Sequence, residues 1–282
     1  MASLATAELD ALRAKIAAIE KRPVLSEGAA EHALRPAAAP QMPARSEAAD
    51  ILATPAGVLH EVFADEQRLS GTALGFTLGM ARGLIGGERQ AILYLQLAAE
   101  TQELGLPYGI GLERFGLDSD KLVIGRIESL TELLWAIEEA IACRAIAGVI
   151  VDLAGHPKAL DFTVSRRLSL RAAAAGTSAF LLRYGRQREA SAAKLRWRVM
   201  AALSAEQRFD AFAPGPPRFV VEVEKRRLGG TSQRAENTRL TLDWTENGFV
   251  SVEPRFGSQL SNSTPISRPQ PAALGHRLSQ AS

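Results

Sequence analysis

The chain has 282 residues, of which 46% are hydrophobic, enough to bury a core of domain size with extensions to spare. No run of about 18 uninterrupted apolar residues occurs, so no membrane-spanning helix is expected. A single cysteine, Cys143, excludes an internal disulfide and a cysteine-rich zinc site. The first residues, MASLATAELDALRAKIAAIEKRP, carry acidic side chains and no continuous apolar core, which argues against a secretory signal and for a cytoplasmic location. The net charge of +2 hides an asymmetry. Residues 1–160 carry 14 Lys+Arg against 21 Asp+Glu, and residues 161–282 carry 19 against 10. A basic second half suits an anionic partner, nucleic acid being the commonest, or is a solvated surface that happens to be basic.

In chain order, residues 4–21 place Leu4, Leu12, Ile16 and Ile19 at helical spacing between charges, which predicts an amphipathic helix within residues 1–22. Residues 23–50, rich in Ala, Pro, Ser and charge, read as a linker. The core is expected over 51–254. Its pattern alternates: a strand over Val58–Phe63, a helix over Ser70–Ile85, a strand over Ala91–Leu97 and a short helix over Tyr108–Phe115. A third strand follows over Lys121–Ile124. Leu130–Cys143 is an amphipathic helix presenting Leu130, Leu133, Leu134, Ile137 and Ile141 on one face, with Ser129 and Glu132 at capping-box spacing. Gly148–Val151 is a strand delivering Asp152, Leu160–Ala175 a helix stopped by Gly176, and Ser178–Tyr184 a fifth strand. Strands alternating with helices imply a mostly parallel sheet covered on both faces. From Lys194 onward the strands Lys194–Leu203, Phe219–Lys225, Arg239–Trp244 and Phe249–Val252 have short links and a hairpin signal at Glu246-Asn247-Gly248, so an antiparallel extension is expected. Residues 255–282 are rich in Ser, Pro and Gln, a composition that predicts disorder.

Strand, turn and helix at Val58–Ile85 is the layout with which α/β domains hold a phosphate, helix amides pointing at the anion. The turn has no G-x-x-x-x-G-K-[ST]. Aligned on Thr72, the hydroxyl that would coordinate magnesium, Gly71 stands where the phosphate loop has its lysine and Ser70 where it has a glycine. Asp152 matches a Walker B aspartate or is an ordinary strand-end cap. Without the lysine there is no fixed charge on the β/γ-phosphates, so no catalysis is expected and bound ATP with magnesium is doubtful. Glu100 is either a water-positioning carboxylate or a solvated loop glutamate. The histidines His32, His60, His156 and His276 have no metal-ligand spacing, and no metal site is expected.

Between Thr163 and Arg198 stand nine basic residues, Arg166, Arg167, Arg171, Arg183, Arg186, Arg188, Lys194, Arg196 and Arg198, opposed within the segment by Glu189 alone. Arg167 and Arg171 share a helix face. Arg183, Arg186 and Arg188 flank the loop Gly185–Ala192, and Lys194, Arg196 and Arg198 alternate to one side of a strand, with Trp197 on the core side. Such a surface suits contacts to the backbone of single-stranded DNA, or the docking of an acidic protein. Lys225, Arg226 and Arg227 end another strand and either face a neighbouring subunit or close an edge with charge.

The order of these parts resembles the RecA recombinase core. The stretch DKLVIGRIESLTELLWAIEEAIACRAIAGVIVD is similar to its strand, helix and Walker B strand, Gly185–Ala192 sits where its second DNA-binding loop would be, and RFVVEVEKRRLGG matches a strand that reaches the neighbouring protomer. Within that superfamily the chain resembles the inducible mutagenesis protein A family through LHEVF at 59–63, HPKALDFTVSRRLSL at 156–170, AFLLR at 179–183 and SAAKLRWRV at 191–199. The resemblance implies a RecA-like α/β fold and a non-enzymatic accessory factor of SOS-induced mutagenesis. Such a factor works at the nucleoid after DNA damage, in translesion synthesis, with a Y-family-like polymerase homologue and an error-prone replicative-type polymerase. Self-association or contact with RecA belongs to the same implication. The alternative is an ATP-binding recombination or repair regulator with a non-standard phosphate loop.

Overall fold

The computed structural model describes residues 47–53, 55–204, 213–228 and 236–252. The expected helix within 1–22, the linker up to residue 46 and the tail 255–282 lie outside them. The chain divides into two compact units, residues 1–50 and 51–282. A short helix, α1 (Glu47–Leu52), spans the expected boundary between the linker, 23–50, and the core.

The second unit is an α/β fold built on one nine-stranded sheet. Its strands are β1 (Leu59–Ala64), β2 (Ala91–Leu97), β3 (Leu122–Ile127), β4 (Ile146–Leu153), β5 (Ser178–Tyr184), β6 (Leu195–Ala202), β7 (Arg218–Arg226), β8 (Arg239–Thr245) and β9 (Gly248–Ser251). They lie in the order β3-β2-β4-β5-β1-β6-β7-β8-β9. From β3 to β6 every neighbouring pair is parallel, and from β6 to β9 every pair is antiparallel. β1 is therefore central, flanked by β5 and β6, and is buried along its whole length. That is why LHEVFA has no polar alternation. A strand covered on both faces needs apolar residues, or paired polar ones, at every position.

Two short helices, α3 (Thr101–Leu104) and α4 (Gly109–Arg114), follow β2, and the longer helices divide between the faces. α5 (Leu130–Ala142) and α6 (Phe162–Ala175) pack Leu133, Ile137, Ile141, Leu168 and Ala172 towards the sheet, in a core with Leu59, Val149, Val151 and Leu181. The Ser129 hydroxyl accepts from the Glu132 N–H and the Glu132 carboxylate accepts from the Ser129 N–H, the expected capping box. α6 begins at Phe162, not Leu160, because the Asp161 carboxylate accepts from the Val164 N–H at 2.8 Å and fixes the start. It ends at Gly176, whose φ of 69° supplies the left-handed stop.

The opposite face carries α2 (Ser70–Arg82). Here the glycines explain the packing. A Cβ on Gly79 would lie 2.5 Å from the Phe249 ring and 2.8 Å from Trp244, and one on Gly75 2.8 Å from Phe115. These two positions let Phe76, Phe115, Phe219, Trp244 and Phe249 close into one aromatic cluster under the antiparallel strands, with ring centroids 4.9–6.3 Å apart. α2 stops at Arg82, short of the expected Ile85, where Gly83 ends the last turn. β3 runs on to Ile127, past the expected Ile124, since Gly125 and Arg126 pair with Leu95 and Gln96 at the sheet edge. No helix among the described residues is long and apolar enough to cross a membrane.

Candidate functional site

Two polar clusters form at the carboxyl ends of the parallel strands, one on each face. On the α2 face, Asp152 of β4 is 2% exposed. Tyr94 of β2 donates its hydroxyl to Oδ2 and Tyr184 of β5 donates to Oδ1, each at 2.6 Å. Burial pushes the Asp152 carboxyl up from its ordinary value, while the Tyr184 and Tyr94 hydroxyls pull it back. Burial and the neighbouring carboxylate push both phenols up as well. A carboxylate that takes one short bond on each oxygen is held as a structural acceptor. Beside it, Glu100 is a tethered, half-buried residue and not a solvated loop glutamate. It follows the 3-10 turn Ala98–Glu100 after β2 and accepts from the Ala154 N–H at 2.9 Å, tying the loop after β2 to the loop after β4. Burial raises its carboxyl, which the Ala154 N–H partly offsets. Gln96 accepts from Thr101 at 3.1 Å and leaves its buried amide nitrogen without a partner.

Ser70, Gly71 and Thr72 form the first turn of α2, but the segment before them is closed on itself. Residues Gln67–Leu69 make a 3-10 turn in which the Leu69 N–H bonds to Glu66 O and the Ser70 N–H to Gln67 O. Amides spent in this way do not point at an anion. Among the described residues no group of His, Cys, Asp or Glu could hold a metal ion.

On the α6 face the basic constellation is assembled, and it is extensively paired. The sequence shows Glu189 as its only local opponent; the fold supplies Glu61, Asp65, Glu138, Glu222 and Glu224 from other elements. Arg196 donates to Glu61 at 2.8 and 2.9 Å, to Glu189 O and to Ser191. Arg198 bridges Asp65 and Glu222. Arg188 takes both oxygens of Glu224 and the Gly185 carbonyl, and its guanidinium lies 4.1 Å from the centroid of the buried Phe63 ring. Arg167 and Arg171 both reach Glu138 of α5, at 2.6 and 3.2 Å. Arg183, expected to flank a binding loop, is buried: its Nη2 meets His156 Nδ1 at 2.8 Å and Glu189 at 3.3 Å. Arg226, proposed from sequence at a subunit contact, is also buried and donates to Ile51 O at 2.6 Å, while Lys225 donates to Ser191 O at 2.9 Å. Arg166, Arg186 and Arg227 remain exposed, and Lys194 is half-buried. Arg196 and Arg198 do share one side of β6, with Trp197 buried on the other, whereas Lys194 stands in the bend before the strand.

The residue that sequence reasoning missed is Asp65. It follows β1 directly, where a phosphate loop would begin, and Arg198, Arg188 and Arg186 converge on it. The Arg198 hydrogen bond, with the charges of all three, holds its carboxyl below the usual range despite partial burial. The signal was present in the run Asp65-Glu66, two acids in a turn that a phosphate would have to approach.

No protein-family model matches the chain, and comparison with curated proteins finds no match.

Proposed function

We propose that the protein is a non-enzymatic, RecA-like accessory factor of SOS-induced mutagenesis and translesion synthesis, acting by binding polymerase-type partners. One observation carries the non-enzymatic part: the turn after the central strand presents Asp65, already paired with arginine, in place of a glycine- and lysine-lined cradle. A fixed carboxylate there repels a triphosphate that the missing lysine would otherwise have attracted. The link to mutagenesis rests on the resemblance through LHEVF, HPKALDFTVSRRLSL, AFLLR and SAAKLRWRV. Its support is that β1, α6, β5 and β6, which carry those stretches, are neighbours around one face of the sheet. The pairing of Arg183, Arg188, Arg196 and Arg198 with protein groups favours a protein partner over direct contact with single-stranded DNA. Self-association or contact with RecA belongs to the same reading.

The test is recovery of the tagged full-length chain from cells after DNA damage. Enrichment of a Y-family-like polymerase homologue and an error-prone replicative-type polymerase supports the reading, and their absence removes it. The second reading, an ATP-binding regulator, is favoured by Glu100 and Asp152 lying at the carboxyl ends of β2 and β4 with Ala154 between them. Titration calorimetry with ATP and magnesium separates the two. Heat that disappears in Asp152→Asn supports ATP binding, and no heat supports the accessory factor.

A further inference from the structure

The flank of α6 that faces away from α5 is unlike a solvated helix surface. Arg167 and Arg171 turn towards Glu138 of α5, and Ser165, Leu168, Ser169 and Ala172 turn into the core. At 100° per residue this leaves Phe162, Arg166 and Leu170, at i, i+4 and i+8, on the free flank. Phe162 is 50% and Leu170 63% exposed. Large apolar side chains standing in a row with a cation between them are the anchors of an interface.

The flank borders a cationic corner of the sheet. The Ala192 N–H donates to Ser165 Oγ at 3.0 Å, and Ala193 is buried in the same core as Leu168, so the chain entering β6 lies against α6. Lys194 follows at once. Its carbonyl accepts from the Arg227 N–H at 2.8 Å, and Arg196 is opposite Lys225 in the β6–β7 register. Lys225 thus shares one side of the sheet with Arg196, and Lys194 and Arg227 stand together at the adjoining strand ends. Arg196 is balanced by Glu61. Among the described residues no carboxylate forms an ion pair with Lys194, Lys225 or Arg227. The crowding is felt: burial first, then the charges of Arg196 and Arg227, hold the Lys225 ammonium below its ordinary value, against a smaller opposing pull from the carboxylates of Glu61 and Glu236. Like charges gathered with only this distant counter-charge are stabilised by whatever anion binds them.

We infer that Phe162, Arg166 and Leu170 of α6, with Lys194, Lys225 and Arg227 of the β6–β7 corner, form a docking surface for an acidic amphipathic helix of a partner protein. Charge complementarity selects the acidic face of that helix, and the spacing of Phe162 and Leu170 selects its apolar face. A nucleic-acid backbone would use the cations and leave Leu170, which cannot stack on a base, exposed to no purpose. The inference rests on the accessory-factor reading for the identity of the partner, but not for the existence of the surface.

The experiment is fluorescence anisotropy on the full-length chain with three labelled probes: a synthetic helical peptide with leucine on one face and glutamate on the other, the same peptide with lysine for glutamate, and an oligothymidylate. The glutamate peptide binds and the lysine peptide does not. Leu170→Asp, Arg166→Glu and Arg227→Glu each weaken it by about tenfold or more, with unchanged circular dichroism. Arg227→Glu lies just past the end of β7, outside α6, so a folding failure of the α6 variants does not remove the test. Equal binding of both peptides, or binding that ignores the three variants, overturns the inference. So does tighter binding of the oligothymidylate that is lost in the same variants. The same variants are carried into the recovery of polymerases. Peptide binding without polymerase recovery leaves the surface standing and removes the accessory-factor reading. Polymerase recovery indifferent to the variants does the reverse.

Discussion

Asp65 and Arg198 form a two-point pair, Nε to Oδ1 at 3.0 Å and Nη2 to Oδ2 at 2.5 Å, at the carboxyl end of the central strand. The other arm of Arg198 holds Glu222 of β7 at 2.8 Å. One arginine therefore joins the turn after β1 to the antiparallel extension two strands away. The arrangement places an internal anion in the turn after the central strand, where a phosphate loop would admit an external one.

Replacing Asp65 by Asn should have two effects of opposite kind. Removing a carboxylate that organises Arg198 and Arg188 costs about 1–3 kcal/mol of stability, since charged hydrogen bonds are lost and cations remain half-buried. Arg186 contributes little to this cost, being 82% exposed and 3.8 Å away. The same change uncovers positive charge, so affinity for oligothymidylate rises and its salt dependence steepens. Urea unfolding and anisotropy at two salt concentrations measure both. A variant as stable as the parent, with unchanged oligothymidylate binding, would show that the pairs are inert.

Gly79→Ala sets two principles against each other. Alanine favours a helix interior over glycine by about 1 kcal/mol. Against that, the new Cβ would stand 2.5 Å from Phe249 and 2.8 Å from Trp244, inside a closed aromatic cluster, and overpacking costs about 1–3 kcal/mol. The packing term is the larger because neither ring is the end of a flexible chain. The variant should melt at a lower temperature, whereas Gly71→Ala, which meets nothing within 4 Å, should melt at or above the parent.

These contrasts also mark what the sequence could reveal. Hydrophobic period and punctuation locate β2 and β5 to the residue and the α5 cap to its two side chains, because those signals are local. The state of the arginines was not legible. Glu61 and Asp65 stand more than 130 residues from the arginines they pair with, Arg196 and Arg198. Alternation on β6 gives the side on which Arg196 and Arg198 lie, but not what lies on the neighbouring strand. Asp152 could be read as a strand-end carboxylate; its Tyr94 and Tyr184 partners required the order β2-β4-β5, which no local pattern contains.

The tyrosine clasp gives a third prediction. Tyr94→Phe leaves the buried Asp152 with one donor and should cost about 1–3 kcal/mol. The sign with pH follows from the raised carboxyl. A group whose folded value lies above its unfolded value favours folding while protonated, and that advantage is lost as pH rises through the folded value. Removing a hydroxyl that pulls the value down raises it further, so the loss in Tyr94→Phe is larger at neutral than at acid pH. Asp152→Asn carries no charge to bury and should flatten the dependence. Urea midpoints at neutral and acid pH read the difference; a loss in Tyr94→Phe that is the same at both would mean that Asp152 is already protonated.

His60 should dominate the acid response. It is fully buried on β1, stacked on Phe180 at 4.3 Å, and its Nδ1 accepts from the Trp197 indole N–H at 3.3 Å. The proton of the neutral ring then sits on Nε2, which has no partner. A second proton would have to enter at Nδ1 and break the Trp197 bond. Burial, reinforced by the Arg226 charge, accordingly holds the imidazole down at about 3, from an ordinary 6.5. Because the folded value is depressed, the contribution of the neutral ring is complete above 6.5 and is lost as pH falls from there towards 3, by up to about 1.4 kcal/mol per pH unit. His60→Asn keeps an acceptor near Nδ1 for Trp197 and removes the titration. It should be less stable than the parent at neutral pH, because it leaves a void beside Phe180, yet lose less on acidification. Parallel stability curves from neutral to mildly acid pH would assign the acid response elsewhere.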